Sequence, residues 1–190
     1  MPKVSVVIPI HDMKGGADFL WRSINMLTKQ SFQDFEIVIT KEGGMAKNTN
    51  AGIKRAKGEL IKILYLDDCL SSEYALEDIV MHFTPDVNWM ITGASNNPNP
   101  HWTDDIETGN NKLGSPSALT IRNDSPFLFD ERLSWLLDCD YYKRMNEQYG
   151  KPTILPTKNV ILGEGDHQTT HILTDVEKLA EHEYMVKKYG

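Results

Sequence analysis

Cysteine is scarce in this chain of 190 residues: two are present, Cys69 and Cys139, and neither belongs to a CxxC-type pair. That spacing excludes a disulfide-stapled scaffold and a cysteine-built zinc site, and it favours a reduced compartment. Long apolar runs are missing too. None approaches the roughly 20 residues that a membrane-spanning helix needs, and the opening MPKVSVVIPIHD lacks the basic-then-apolar layout of a signal peptide. The expectation is a cytoplasmic protein without a membrane span. Basic residues are in deficit, 20 Lys and Arg against 27 Asp and Glu, for a net charge of -7. Such a balance argues against broad binding of a phosphate backbone, so a nucleic acid partner is not expected. Small anionic ligands could instead be held through a metal. No internal repeat or low-complexity tract is present.

What remains is an ordinary globular composition, 40% hydrophobic and 25% charged, in a length suited to one core rather than two. Residues 4–10, VSVVIPI, form a near-continuous β-branched run, the pattern of a strand covered on both faces. Helical spacing over 17–28 and a second buried strand at 35–40 complete a βαβ unit. A helix is predicted over 45–56, a strand over 60–66, a helix over 72–82 capped by Ser71 or Ser72, and a strand over 87–92. Residues 93–116 lose all periodicity. A strand at 117–122, a helix from about Leu133 to Tyr149, short strands at 152–155 and 159–162, and an amphipathic helix over 174–188 follow. Strand–helix alternation predicts a single α/β domain with a mixed, mainly parallel sheet flanked by helices.

Ligands of open α/β sheets collect at the carboxyl ends of strands. Here those ends read Pro9-Ile10-His11-Asp12, Lys41-Glu42-Gly43-Gly44 and Leu66-Asp67-Asp68-Cys69. Two adjacent carboxylates at the end of an apolar strand repel each other and lose solvation, so a compensating cation or donor set is expected beside Asp67 and Asp68.

Several stretches, in order, resemble the GT-A glycosyltransferases of the inverting family 2 type. They are VSVVIPIHD, QSFQDFEIVI (30–39), GMAKNTNAGIKRAKGELIKILYLDD (44–68), GSPSALTIR (114–122) and LSWLLDCDYYKRM (133–145). The likeness covers about residues 3–146 and is loose thereafter. It implies the GT-A fold, with about 1–92 binding a nucleotide sugar and about 93–190 forming the acceptor and catalytic half. It also implies a divalent cation, manganese or magnesium. Transfer of the sugar, UDP-linked by expectation, would go to a hydroxyl acceptor such as a glycan.

Carried over residue by residue, the resemblance implies that Asp67 approaches the nucleoside and Asp68 ligates the metal. Pro9, Ile10 and His11 would edge the nucleotide site, Glu42 would accept from the base, and Lys47, at the start of a helix, would contact phosphate. Asp138 would take the proton from the acceptor hydroxyl. Cys69 departs from the pattern, because many relatives continue there with another acid and a thiol is a poor ligand for hard cations. The missing ligand is expected from His167 in EGDHQTTH, as some GT-A enzymes recruit a late histidine. The loop after Glu42 is also shorter than in typical relatives. Trp102, Ser115 and Trp135 are candidates for the acceptor or sugar side, with Gly114 and Pro116 shaping their turn. Asp140 falls on a different helix face from Asp138, as a helix charge or supporting group.

Two readings of other classes stay open on the sequence. A sugar-nucleotide nucleotidyltransferase would also set carboxylates and metal over such a sheet, although IHDMKGGADFLW is a poor version of the glycine-rich, basic loop it needs. A donor-binding module without turnover would fit Cys69 and the short loop.

Overall fold

A computed structural model describes residues 1–124 and 126–190. Its strands are β1 (Val4–Pro9), β2 (Phe35–Thr40), β3 (Leu60–Ile63), β4 (Cys69–Leu70), β5 (Trp89–Ala94), β6 (Leu119–Arg122) and β7 (Thr153–Ile161). The helices are α1 (Gly16–Thr28), α2 (Met45–Arg55), α3 (Ala75–His82), α4 (Leu137–Tyr149), α5 (Thr169–Ile172) and α6 (Asp175–Tyr189). The strands form one mixed sheet in the order β2-β1-β3-β6-β5-β7-β4. Its parallel ladders, β1 with β2 and β3 and β5 with β7, are longer than the antiparallel ones that β6 and β4 make.

The strand residues alternate between two apolar layers, as a period of two requires. Val4, Val6 and Ile8 face α1 and α3 through Leu27, Leu76 and Ile79. Val7, Ile61 and Ile63 face the other way, toward Ile53 of α2, Tyr141 and Met145 of α4 and Met185 of α6. Every residue of β1 is buried, as its unbroken apolar run predicts. β2, expected to be buried, is the sheet edge, and Ile39 there is 43% exposed.

Several expected boundaries move for local reasons. β3 ends at Ile63 because the chain turns: Asp68 N–H donates to the Tyr65 carbonyl at 3.0 Å. Neither Ser71 nor Ser72 caps α3, which begins at Ala75 with Tyr74 in the cap position. Ser71 is spent on the Lys158 carbonyl, and β4, unforeseen, occupies 69–70. The two short strands expected after α4 are one strand, β7, whose register against β5 shifts at Gly93; Pro156 interrupts its pattern without ending it. Thr174 does cap α6, in a reciprocal capping box with Glu177.

Candidate active site

The carboxyl ends of β1 and β3 open into a cavity of about 470 Å³. Pro9, His11, the Gly43–Gly44 turn and Asn48 form one side, and Asp67 and Asp68 form its floor. Ser115, Pro116, Ser134, Trp135 and Asp138 supply the other side, while the chain from Leu162 to Ile172 covers it. The fold therefore brings Pro9, His11, Asp67, Asp68, Ser115, Trp135, Asp138 and His167 to one space.

The acid pair sits on a turn pinned from behind by α1. Arg22 donates to the Asp67 carbonyl and Ser23 to the Asp68 carbonyl, so two consecutive backbone acceptors are satisfied by one helix face. Tyr65 N–H, one turn earlier, donates to Ser117 Oγ at 2.8 Å, tying β3 to the 115–118 turn. Asp68 is only 4% exposed, and its Oδ1 accepts the Gly163 N–H at 2.8 Å. Burial, then the charge of Asp67, pushes its carboxyl up to about 7. Lys62, wholly buried in β3, partly opposes that rise; its ammonium bonds the Ser117 and Leu119 carbonyls, and burial lowers it to about 7.

Gly163 lies so close to the floor that a Cβ there would meet Asp67 Cβ at 2.6 Å and the Asp67 carboxylate at 2.7 Å. Four residues on, His167 Nε2 meets Asp67 Oδ2 at 2.9 Å, its ring beside Phe19 at 5.6 Å. His167 thus engages Asp67 rather than standing free beside Asp68, the arrangement the sequence suggested.

Asp138 opens α4. Its Oδ1 accepts the Cys139 N–H at 2.8 Å and its Oδ2 accepts from Asn111 Nδ2 at 2.6 Å. Asn111 is itself fixed, since its Oδ1 takes the N–H groups of Leu113 and Gly114 at 2.8 and 3.1 Å. Burial raises Asp138 to about 6, with those hydrogen bonds opposing the rise. A carboxylate so placed is mostly ionised at neutral pH yet basic enough to accept a proton.

Five expected residues lie outside the cavity. Ile10 is packed into the apolar layer beside α1, and only its carbonyl serves the site, accepting from Asn48 at 2.8 Å. Glu42 pairs with Arg55 along α2, and Lys47 is exposed on the outer face of that helix. Trp102 packs edge-on against Trp89 at 6.4 Å and donates to Asp104, a core role rather than a sugar platform. Asp140, with its side chain wholly buried, is held by Arg144 at 2.9 Å, by Tyr189 OH at 2.6 Å and by Lys188, so it clamps α4 to α6. Asn48 and Asn111 are additions. Asn48 bridges the ends of β1 and β2 by taking the Glu42 N–H at 2.9 Å, and its signal in the sequence was a polar run, Asn48-Thr49-Asn50, within a helix; the structure buries all three. Asn111 gave no signal among the other polar residues of its loop.

Among the described residues, no three His, Cys, Asp or Glu side chains gather as a metal cluster. Cys69 is buried in β4, its thiol pushed up by that burial. Asp68, desolvated beside a second carboxylate, fits a hard cation that takes the rest of its oxygens from a bound diphosphate, the mode in which one or two carboxylates suffice. Of the IHDMKGGADFLW segment after β1, His11 lines the cavity and residues 12–16 do not.

Sheet order, helical layers and the cavity at the strand ends define a GT-A glycosyltransferase fold. Solved structures carry the same fold. The chain is similar to S. aureus TarS in complex with UDP (TM-score 0.65, 17% identity, 86% of this chain and 61% of that one). It is similar also to the mannosyltransferase PcManGT from Pyrobaculum calidifontis in complex with GDP-Man and Mn2+ (0.69, 13%, 100% and 65%). A third likeness is to a mutant Drosophila beta-1,4-galactosyltransferase 7 with manganese, UDP-Gal and xylobiose (0.56, 12%, 94% and 79%). The chain spans 39% of a longer TarS structure. No protein-family model matches the sequence, and no curated protein matches it.

Proposed function

We propose that this chain is a metal-dependent, inverting glycosyltransferase of the family 2 type. It moves a sugar from a UDP-linked donor to a hydroxyl of a glycan acceptor, with about 1–92 gripping the donor and about 93–190 presenting acceptor and base. One observation carries the reading: the acid pair on the turn after β3 and a carboxylate raised to about 6 line the same cavity. The ligands of the structural neighbours, UDP, GDP-Man with Mn2+, and UDP-Gal with manganese and xylobiose, support it.

In this reading Asp138 accepts the acceptor hydroxyl proton as that oxygen bonds to the anomeric carbon. The bond from that carbon to the diphosphate oxygen breaks, its electron pair leaves with the nucleoside diphosphate, and the sugar inverts. Asn111 and the Cys139 N–H aim the carboxylate. Asp67 serves the nucleoside side, and Asp68 would hold the cation, joined by His167 once donor binding releases it from Asp67. Manganese or magnesium, when bound, would neutralise charge on the departing diphosphate. Ser115 and Trp135 border the acceptor side.

The test is a thermal-shift screen of nucleotide sugars with and without manganese, since a ligand of the folded state raises its stability. Nucleotide release and the anomeric configuration of the product are then measured for any sugar that binds. If no nucleotide sugar shifts the melting point or is turned over, the reading fails. Binding without release would make the chain a donor-binding module instead.

A further inference from the structure

Helix α4 carries the proposed base but no side-chain cap of its own, because Leu136 stands at its N-cap. The N–H groups just ahead of it are taken by a distant carboxylate. Glu181 of α6 accepts from Ser134 at 2.8 Å through Oε1, and from Trp135 at 2.9 Å and Leu136 at 2.8 Å through Oε2. Three charge-assisted bonds to one backbone turn, at the positive end of a helix, make a stiff anchor. The same helix flanks the Trp135 ring, with His182 edge-on at 5.3 Å and Lys178 Nζ at 5.7 Å from its centroid. Ser134, Trp135 and Asp138 all line the cavity, whereas Glu181 does not.

We infer that Glu181 is a positioning residue for the transfer step: it fixes the 134–136 turn so that the Asp138 carboxylate and the Trp135 ring face the acceptor. The inference rests on the glycosyl-transfer reading of Asp138. Removing Glu181 frees the turn without releasing α6, which Lys188 and Tyr189 still hold to α4 through Asp140. A base and an acceptor platform left on a loose turn would lose alignment while the donor-side acids, pinned by α1, keep theirs.

The experiment compares Glu181→Ala, Glu181→Gln and, as a control on an exposed face of the same helix, Glu183→Ala. Amide hydrogen exchange of residues 133–138 is read by mass spectrometry, and turnover is read with UDP-N-acetylglucosamine, UDP-galactose and GDP-mannose in manganese. In Glu181→Ala, exchange of 133–138 accelerates about tenfold or more, and kcat falls about 10- to 100-fold, the cost of a misplacement near 1 Å. The donor KM stays within about twofold. Glu181→Gln, whose amide oxygen can still accept, recovers part of both losses. Glu183→Ala changes neither. Unchanged exchange in Glu181→Ala, unchanged kcat, or an equal loss in Glu183→Ala would overturn the inference. Should the wild type turn over neither these three nor any sugar found in the thermal-shift screen, the glycosyl-transfer reading fails on that result. The exchange data then decide separately whether Glu181 anchors the turn.

Discussion

The two sides of the cavity are held by different means. On the proposed donor side the acids sit on the turn that follows β3, and α1, the helix after β1, grips their backbone through Arg22 and Ser23. On the proposed acceptor side Asp138, the proposed base, and the Trp135 ring stand on a helix start and a turn, held by Asn111 from a loop and by Glu181 from the last helix. Two side chains of one helix grip the first side, whereas one side chain from each of two separate elements holds the second. The proposed acceptor side is therefore the more easily disturbed by one substitution.

The strongest way to break that contrast is Asp138→Asn. Turnover should fall by about 10² to 10⁴, the usual worth of a general base, with donor affinity unchanged in calorimetry. A parallel loss of donor binding would mean the two sides are not separable. Asp140→Ala comes next. It strips a fully buried carboxylate from Arg144, Lys188 and Tyr189, and urea unfolding should show a loss of about 3 kcal/mol, the low end for breaking a buried charged cluster. Asp68→Asn should slow manganese-supported turnover on the order of 100-fold and also weaken donor binding, unlike Asp138→Asn. The pH profile sharpens the picture further. Because burial raises Asp138 to about 6 and its ionised form is the working one, kcat/KM in saturating manganese, which would keep Asp68 ionised, should be level above that pH. Below it, kcat/KM should fall about tenfold per unit. The smallest effect belongs to Glu42→Gln and Lys47→Met, which lie outside the cavity; donor affinity should stay within about twofold.

The sheet was legible where the chain obeys local rules. The unbroken run of β1, the helical spacing of α1 and the amphipathic pattern of α6 each reflect residues within a few positions of one another, and the elements lie where those patterns predict them. The acid pair stood out as two carboxylates closing an apolar run, and Asp138 through the resemblance; the fold brings all three to one cavity. Trp102 misled because an indole reads alike whether it faces a ligand or a neighbouring side chain, and only packing tells which. Glu181 and Asn111 act across 45 to 47 and 27 positions of sequence, a separation at which no local pattern survives. The same limit hid β4, a two-residue strand that exists only because β7 lies beside it.

The headroom above the acids is set by a hydrogen atom. At position 163 the covering segment rests directly on Asp67, and even a methyl group would have to displace either the carboxylate or the segment itself. Any side chain at that position would therefore lift the covering segment from the acids or push the Asp67 carboxylate aside.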